Sequence, residues 1–116
     1  MSGINSHHKE NLIVIHGSIS GTGTAAIDAG KGFYLTDNGT GNYVITFDRG
    51  YAALVSCIAT STTAGLTAAA VPGTFTAGDT GFELNVRTYQ ISDGAATDGK
   101  FSFAVAFEVE DSPSGP

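Results

Sequence analysis

Apolar and polar positions alternate most cleanly near the end of the chain. From Lys100 to Glu110, Phe101, Phe103, Val105, Phe107 and Val109 fall on one face, and Ser102, Ala104, Ala106, Glu108 and Glu110 fall on the other. A period of two marks a strand buried on one side. Burying a row of five such side chains contributes on the order of 7 to 15 kcal/mol before chain entropy is subtracted, so this segment is expected to be a central core strand. The stretch Gly32 to Asp48 predicts a hairpin. Its second arm places Tyr43, Ile45 and Phe47 on one face and Val44, Thr46 and Asp48 on the other, and Asp37-Asn38-Gly39-Thr40-Gly41-Asn42 supplies the turn chemistry. Phe82 to Ile91 alternates again, with Phe82, Leu84 and Val86 inward and Glu83, Asn85 and Arg87 outward.

The remaining segments carry weaker signals. Asn11 to Ser20 reads as a strand covered on both sides at its start, because Leu12 and Val14 interleave with Ile13 and Ile15. Ala25 to Ala29 fits a strand or a turn. Ala52 to Thr60 predicts a strand with Leu54, Ser56 and Ile58 on one side and the smaller Val55, Cys57 and Ala59 on the other, suited to close packing against a sheet or another chain. Ser61 to Gly81 is rich in Ala, Thr and Gly; its one alanine run, Ala68-Ala69-Ala70, is too short for a helix. A long loop or a loosely paired strand is expected there. No helical periodicity of three turns occurs anywhere. Roughly six to eight strands with Gly-rich or Asn-rich punctuation predict an antiparallel sandwich of the jelly-roll or immunoglobulin-like kind.

At 116 residues the chain is expected to form one domain, residues 12–110, with a flexible or extended arm at 1–11 and a tail at 111–116. Only 14% of the residues are charged, against about 25% in an average domain, so Ser, Thr, Asn and Gly must cover the surface or another subunit must cover part of it. The net charge is −6, and the five basic residues Lys9, Lys31, Arg49, Arg87 and Lys100 are scattered. That distribution argues against nucleic acid as a partner. No apolar run reaches the roughly 20 residues that cross a bilayer, and Met1 to Glu10 lacks the apolar core of a secretion signal, so the chain is expected to be made and kept in the cytoplasm, or assembled there. The lone cysteine, Cys57, lies in the apolar run Ala53 to Ala59 and reads as a small buried side chain.

Chemistry is sparse. No Ser, Thr or Cys has the surroundings of an activated nucleophile, and His16 is the only histidine within residues 12–110. His7-His8 lacks further ligands at metal spacing, Asp93 and Asp98 with nearby carbonyls fall short of a calcium shell, and Gly21-Thr22-Gly23-Thr24 lacks the lysine of a phosphate loop. Asn38-Gly39-Thr40 matches a glycosylation pattern and reads as turn chemistry. With no tryptophan, sugar stacking would fall to Tyr34, Tyr43, Tyr51 or Tyr89, at least two of which are expected to cap the core with wet hydroxyls. No catalytic residue, cofactor or metal is therefore expected.

The succession Gly32-Phe33-Tyr34, Gly39-Thr40-Gly41-Asn42-Tyr43-Val44-Ile45-Thr46-Phe47, Arg49-Gly50-Tyr51 and Asp98-Gly99-Lys100-Phe101-Ser102-Phe103 resembles small bacteriophage virion proteins. The resemblance spans about residues 12 to 110, within which Ser61 to Gly81 departs from the pattern. It implies an all-β fold, an antiparallel β-sandwich of jelly-roll type with about eight strands and no long helix, that decorates and cements a capsid as a homo-oligomer, commonly a trimer, on the major capsid protein. The location it implies is the capsid surface of a virion assembled in the host cytoplasm. Asn11, Leu12, Tyr51, Leu66, Val71 and Phe75 are the candidate interface residues. The alternative is a fibre or tail-tip module that binds a host surface glycan; an enzyme is the least favoured class.

Overall fold

The computed structural model describes residues 11–22 and 24–109. Apart from Asn11, the arm assigned to residues 1–11 lies outside the described residues, as does the tail at 111–116. Eight strands follow in order: β1 (Leu12–Ser20), β2 (Ala26–Ala29), β3 (Phe33–Asp37), β4 (Asn42–Phe47), β5 (Ala53–Ser61), β6 (Leu66–Pro72), β7 (Glu83–Gln90) and β8 (Phe101–Glu108). No α-helix occurs among the described residues. The strands form two sheets of four, ordered β2-β1-β8-β5 and β3-β4-β7-β6, and every neighbouring pair is antiparallel.

The two inner faces meet through aromatic side chains. Phe101, Phe103, Val105 and Phe107 of β8 face Tyr43, Ile45 and Phe47 of β4 and Leu84 and Val86 of β7, all buried. Phe33 meets Phe103 edge-on at 4.9 Å, and Phe47 meets Phe107 edge-on at 5.3 Å. Both spacings favour the ring quadrupoles. Packing of this kind fixes register, since a slip of one residue would turn each row toward water. Val109 stands just beyond β8 and is half-buried, so four of the five expected inward residues lie within the strand.

Four expectations need correction. The start of β1 is covered on one side only, since Leu12 and Val14 are exposed. The Ala/Thr-rich segment is loop only in part: residues 73–81 belong to no strand, but from Leu66 to Pro72 the chain runs in unbroken register with β7, Leu66 opposite Gln90 and Pro72 opposite Leu84. Its small side chains hide the alternation, and the partner strand supplies the order. In β5 the alternation breaks at a bulge between Leu54 and Ser56, which ejects Val55 and leaves Leu54 on the inner face with Cys57 and Ala59. Cys57 is thus half-buried against the core, and burial pushes its thiol pKa up. Finally, the tyrosine hydroxyls beneath the core caps are buried rather than wet. Tyr43 donates a hydrogen bond to Asp98 Oδ1 at 2.9 Å, and Tyr51 has a buried hydroxyl with no hydrogen-bond partner among the described residues.

Asp98 is a structural group as a result. Its Oδ1 also accepts the Gly41 N–H at 2.7 Å, tying the β3–β4 turn to the loop before β8. Burial, reinforced by this carboxylate, pushes the Tyr43 pKa up to about 12. The unfolded tyrosine ionises near 10, so the contribution of Tyr43 is complete below pH 10 and is lost as pH rises toward 12. Denaturant melts between pH 8 and 11.5 are expected to show a loss on the order of 2 kcal/mol over that window, most of it absent from Tyr43→Phe. Burial raises Tyr51 in the same direction.

Candidate interaction surface

The outer face of the first sheet can be read row by row from the strand register. Leu12, Glu108 and Ala53 form one row; Val14, Ala106 and Ser56 the next; then His16, Ala104 and Ile58; then Ser18, Ser102 and Thr60. Period-two alternation has already sent the large apolar partners of these residues into the core, so what remains outside is small or β-branched. Large apolar side chains are nevertheless exposed on β1 and β5: Leu12 at 46%, Val14 at 52%, Val55 at 51% and Ile58 at 60%. Glu108 is the only carboxylate in the rows. The second sheet differs, for its outer face carries Glu83, Asn85 and Arg87 on β7.

A groove of about 820 Å³ opens beside this face, along the edge of β1. β2 is short and pairs only with Ser18, Ile19 and Ser20. It leaves β1 at Gly30, whose φ of +107° suits glycine and where a Cβ would lie 2.6 Å from the His16 carbonyl oxygen. Below that point Ile13, Val14, Ile15 and His16 form one wall, and Gly30, Lys31, Gly32, Asp48, Arg49 and Tyr51 form the other. In the sequence Asp48 reads as an outward residue of the hairpin's second arm, and Lys31 and Arg49 as two of the scattered basic residues. Nothing local to them signals a groove, because the wall is assembled from two connections far apart in the chain.

The six expected interface residues do not form one patch. Leu12 lies on the outer face of the first sheet, and Asn11, just before it, accepts the Val109 N–H through its carbonyl at 2.8 Å. Tyr51 is buried, its ring stacked on Phe107 at 4.0 Å, and it forms part of the groove wall. Phe75 is half-buried against Phe82 and Phe107 at the same end of the sandwich. Val71 is 49% exposed near the end of edge strand β6. Leu66 sits at the opposite end, half-buried, where its side chain packs over Gly99. Sequence reading missed Val14, Val55 and Ile58; the alternation of β1 and β5 was the available signal for them, obscured by the bulge.

Compared with known proteins, the chain matches no family model, no curated protein and no solved structure.

Proposed function

We propose that this protein is a structural component of a bacteriophage virion, an adhesive β-sandwich that decorates and stabilises the capsid as a homo-oligomer, preferentially a trimer, seated on the major capsid protein. The observation that carries the reading is the outer face of β1, β8 and β5, where Leu12, Val14, Val55 and Ile58 are exposed around Ala104 and Ala106 with one carboxylate. Depletion of charge with retained apolar area is the composition of an interface core rather than of a solvated face. The role proposed is adhesion without catalysis. The chain crosses from one sheet to the other between β4 and β5, between β5 and β6 and again between β7 and β8, a path that supports the jelly-roll assignment of the sandwich.

Light scattering across a concentration series, with co-sedimentation on empty capsids before and after removal of residues 1–10, tests the reading. Ile58→Lys is expected to weaken self-association by about tenfold or more while leaving the fold intact, since the side chain is 60% exposed. A protein that stays monomeric at every concentration and ignores capsids overturns the proposal. Glycan binding lacks a comparable surface. Tyr43 and Tyr51 are buried, while Tyr34 and Tyr89 sit in rows of the second sheet roughly 20 Å apart, too far to hold one sugar between them.

A further inference from the structure

We propose that Asn38 is a self-modification site, at which attack by the Gly39 backbone nitrogen exchanges the side-chain amide for a carboxylate, and that Asp37 acts as its brake. The chemistry needs only the chain and water. The Gly39 nitrogen bonds to Cγ of Asn38 and gives up its proton; the bond from Cγ to the side-chain nitrogen breaks, and that nitrogen leaves as ammonia, carrying the proton. A closed imide ring remains. Water then adds to either of the ring carbonyls, and opening gives aspartate on one side or isoaspartate on the other, in which the main chain runs through Cβ and Cγ.

The Asn-Gly and Asp-Gly steps among the described residues are Asn38-Gly39, Asp93-Gly94 and Asp98-Gly99, and the structure separates them. Asp98 is held through Oδ1 by the Gly41 N–H at 2.7 Å and the Tyr43 hydroxyl at 2.9 Å, and Gly99 is buried. At Asp93, Oδ1 accepts the Ala95 N–H at 3.0 Å, while the Gly94 N–H is committed to the Gln90 carbonyl at 2.8 Å. Ionised carboxylates are also poor electrophiles. At Asn38 the electrophile is a neutral amide, exposed, with no side-chain hydrogen bond among the described residues. Gly39 is exposed too, at a φ of +117°, with nothing within 4 Å of the place a Cβ would take, so its nitrogen is unhindered. Asn42 and Asn85 instead precede the buried Tyr43 and Val86 inside β4 and β7, where the following side chain and the strand both restrain the nitrogen.

The Gly39 N–H has a restraint of its own, for it donates to Asp37 Oδ1 at 3.1 Å. That bond must open before the nitrogen can turn to Cγ, and the carboxylate opposes the negative charge that builds on nitrogen as the proton departs. Both effects slow the reaction. Because the bond is exposed and exchanges with water, it retards the attack without preventing it. The products differ in what they do to the turn. The Asn38 N–H donates to the Asn42 carbonyl at 2.8 Å, and the Asn42 N–H donates to the Gly39 carbonyl at 3.1 Å. Aspartate leaves this closure in place. Isoaspartate adds a methylene to the main chain inside it, so the closure and the register that sets Asp37 opposite Tyr43 cannot both survive.

Incubation of the full chain in mildly alkaline buffer, followed by peptide mapping with mass spectrometry that distinguishes the isomers, tests the proposal. Asn38 is expected to convert at least about tenfold faster than Asn42 or Asn85. Asp37→Ala is expected to speed the conversion about threefold or more in the folded chain, and to have no such effect in strong denaturant, where the turn bond is gone. An Asn38 that outlasts Asn42 or Asn85 overturns the site. A folded-state rate that is unchanged or slower in Asp37→Ala overturns the brake, and an acceleration that persists undiminished in denaturant removes the turn bond as its cause. Of the separated products, the isoaspartate form is expected to unfold at lower denaturant than the aspartate form; equal midpoints would overturn the account of the turn.

Discussion

Replacing Phe107 with alanine is expected to lower the folding free energy by about 3 to 5 kcal/mol, the upper range for a truncated core aromatic. Phe107 is fully buried on β8, in the middle of the first sheet between β1 and β5. Its ring is stacked on Tyr51 at 4.0 Å and lies within 5.3 Å of Phe47, 5.9 Å of Phe82 and 6.3 Å of Phe75. Four aromatic neighbours cannot all collapse into the space left, because Phe47 is fixed by its own strand and Tyr51 by the turn before β5. The cavity term therefore adds to the lost transfer energy. Guanidinium unfolding followed by circular dichroism checks this, with an unchanged m-value showing that the midpoint reports stability. A loss under about 1.5 kcal/mol would mean that this end of the core repacks freely.

Gly41→Ala is expected to cost about 3 kcal/mol by a different route. Gly41 adopts a φ of +63°, and a Cβ there would press on the Thr88 carbonyl oxygen and lie 2.9 Å from the Thr97 nitrogen, both backbone atoms with little room to yield. The same residue donates its N–H to Asp98. Strain at positive φ alone costs about 1 to 2 kcal/mol, and overpacking against fixed backbone adds a similar amount. Gly65 provides the comparison, with a φ of +82° and nothing within 4 Å of its would-be Cβ. Gly65→Ala is expected to lose only the first contribution. Equal losses at the two positions would show that the Thr88 contact carries no weight.

The strands with a bulky inner row were legible in the sequence. β4, β7 and β8 bury every residue that alternation placed inward within them, because Phe, Tyr, Ile, Leu and Val contrast strongly with the Thr, Ser and Asn between them. β6 was illegible for the opposite reason: Ala and Thr differ too little in transfer energy for a period to show, and pairing with β7 decides its conformation. The bulge in β5 was invisible because either reading of Ala53 to Ala59 places apolar groups on both faces. Asp98 lies 57 residues from Gly41 and 55 from Tyr43, so its structural use followed from no local pattern. The groove was hidden in the same way. It arises where a short β2 abandons β1, and its walls are drawn from separate connections of the chain.

The placement of β8 bears on biosynthesis. It is the last of the eight strands to leave the ribosome, yet β1 and β5 are joined only through it. Until translation has passed Glu108 and that residue has cleared the exit tunnel, the first seven strands have no means of closing the sheet that contains both. The sheet of β3, β4, β7 and β6 can pair before then, but β1 and β2 stay unattached to β5 until β8 arrives between them.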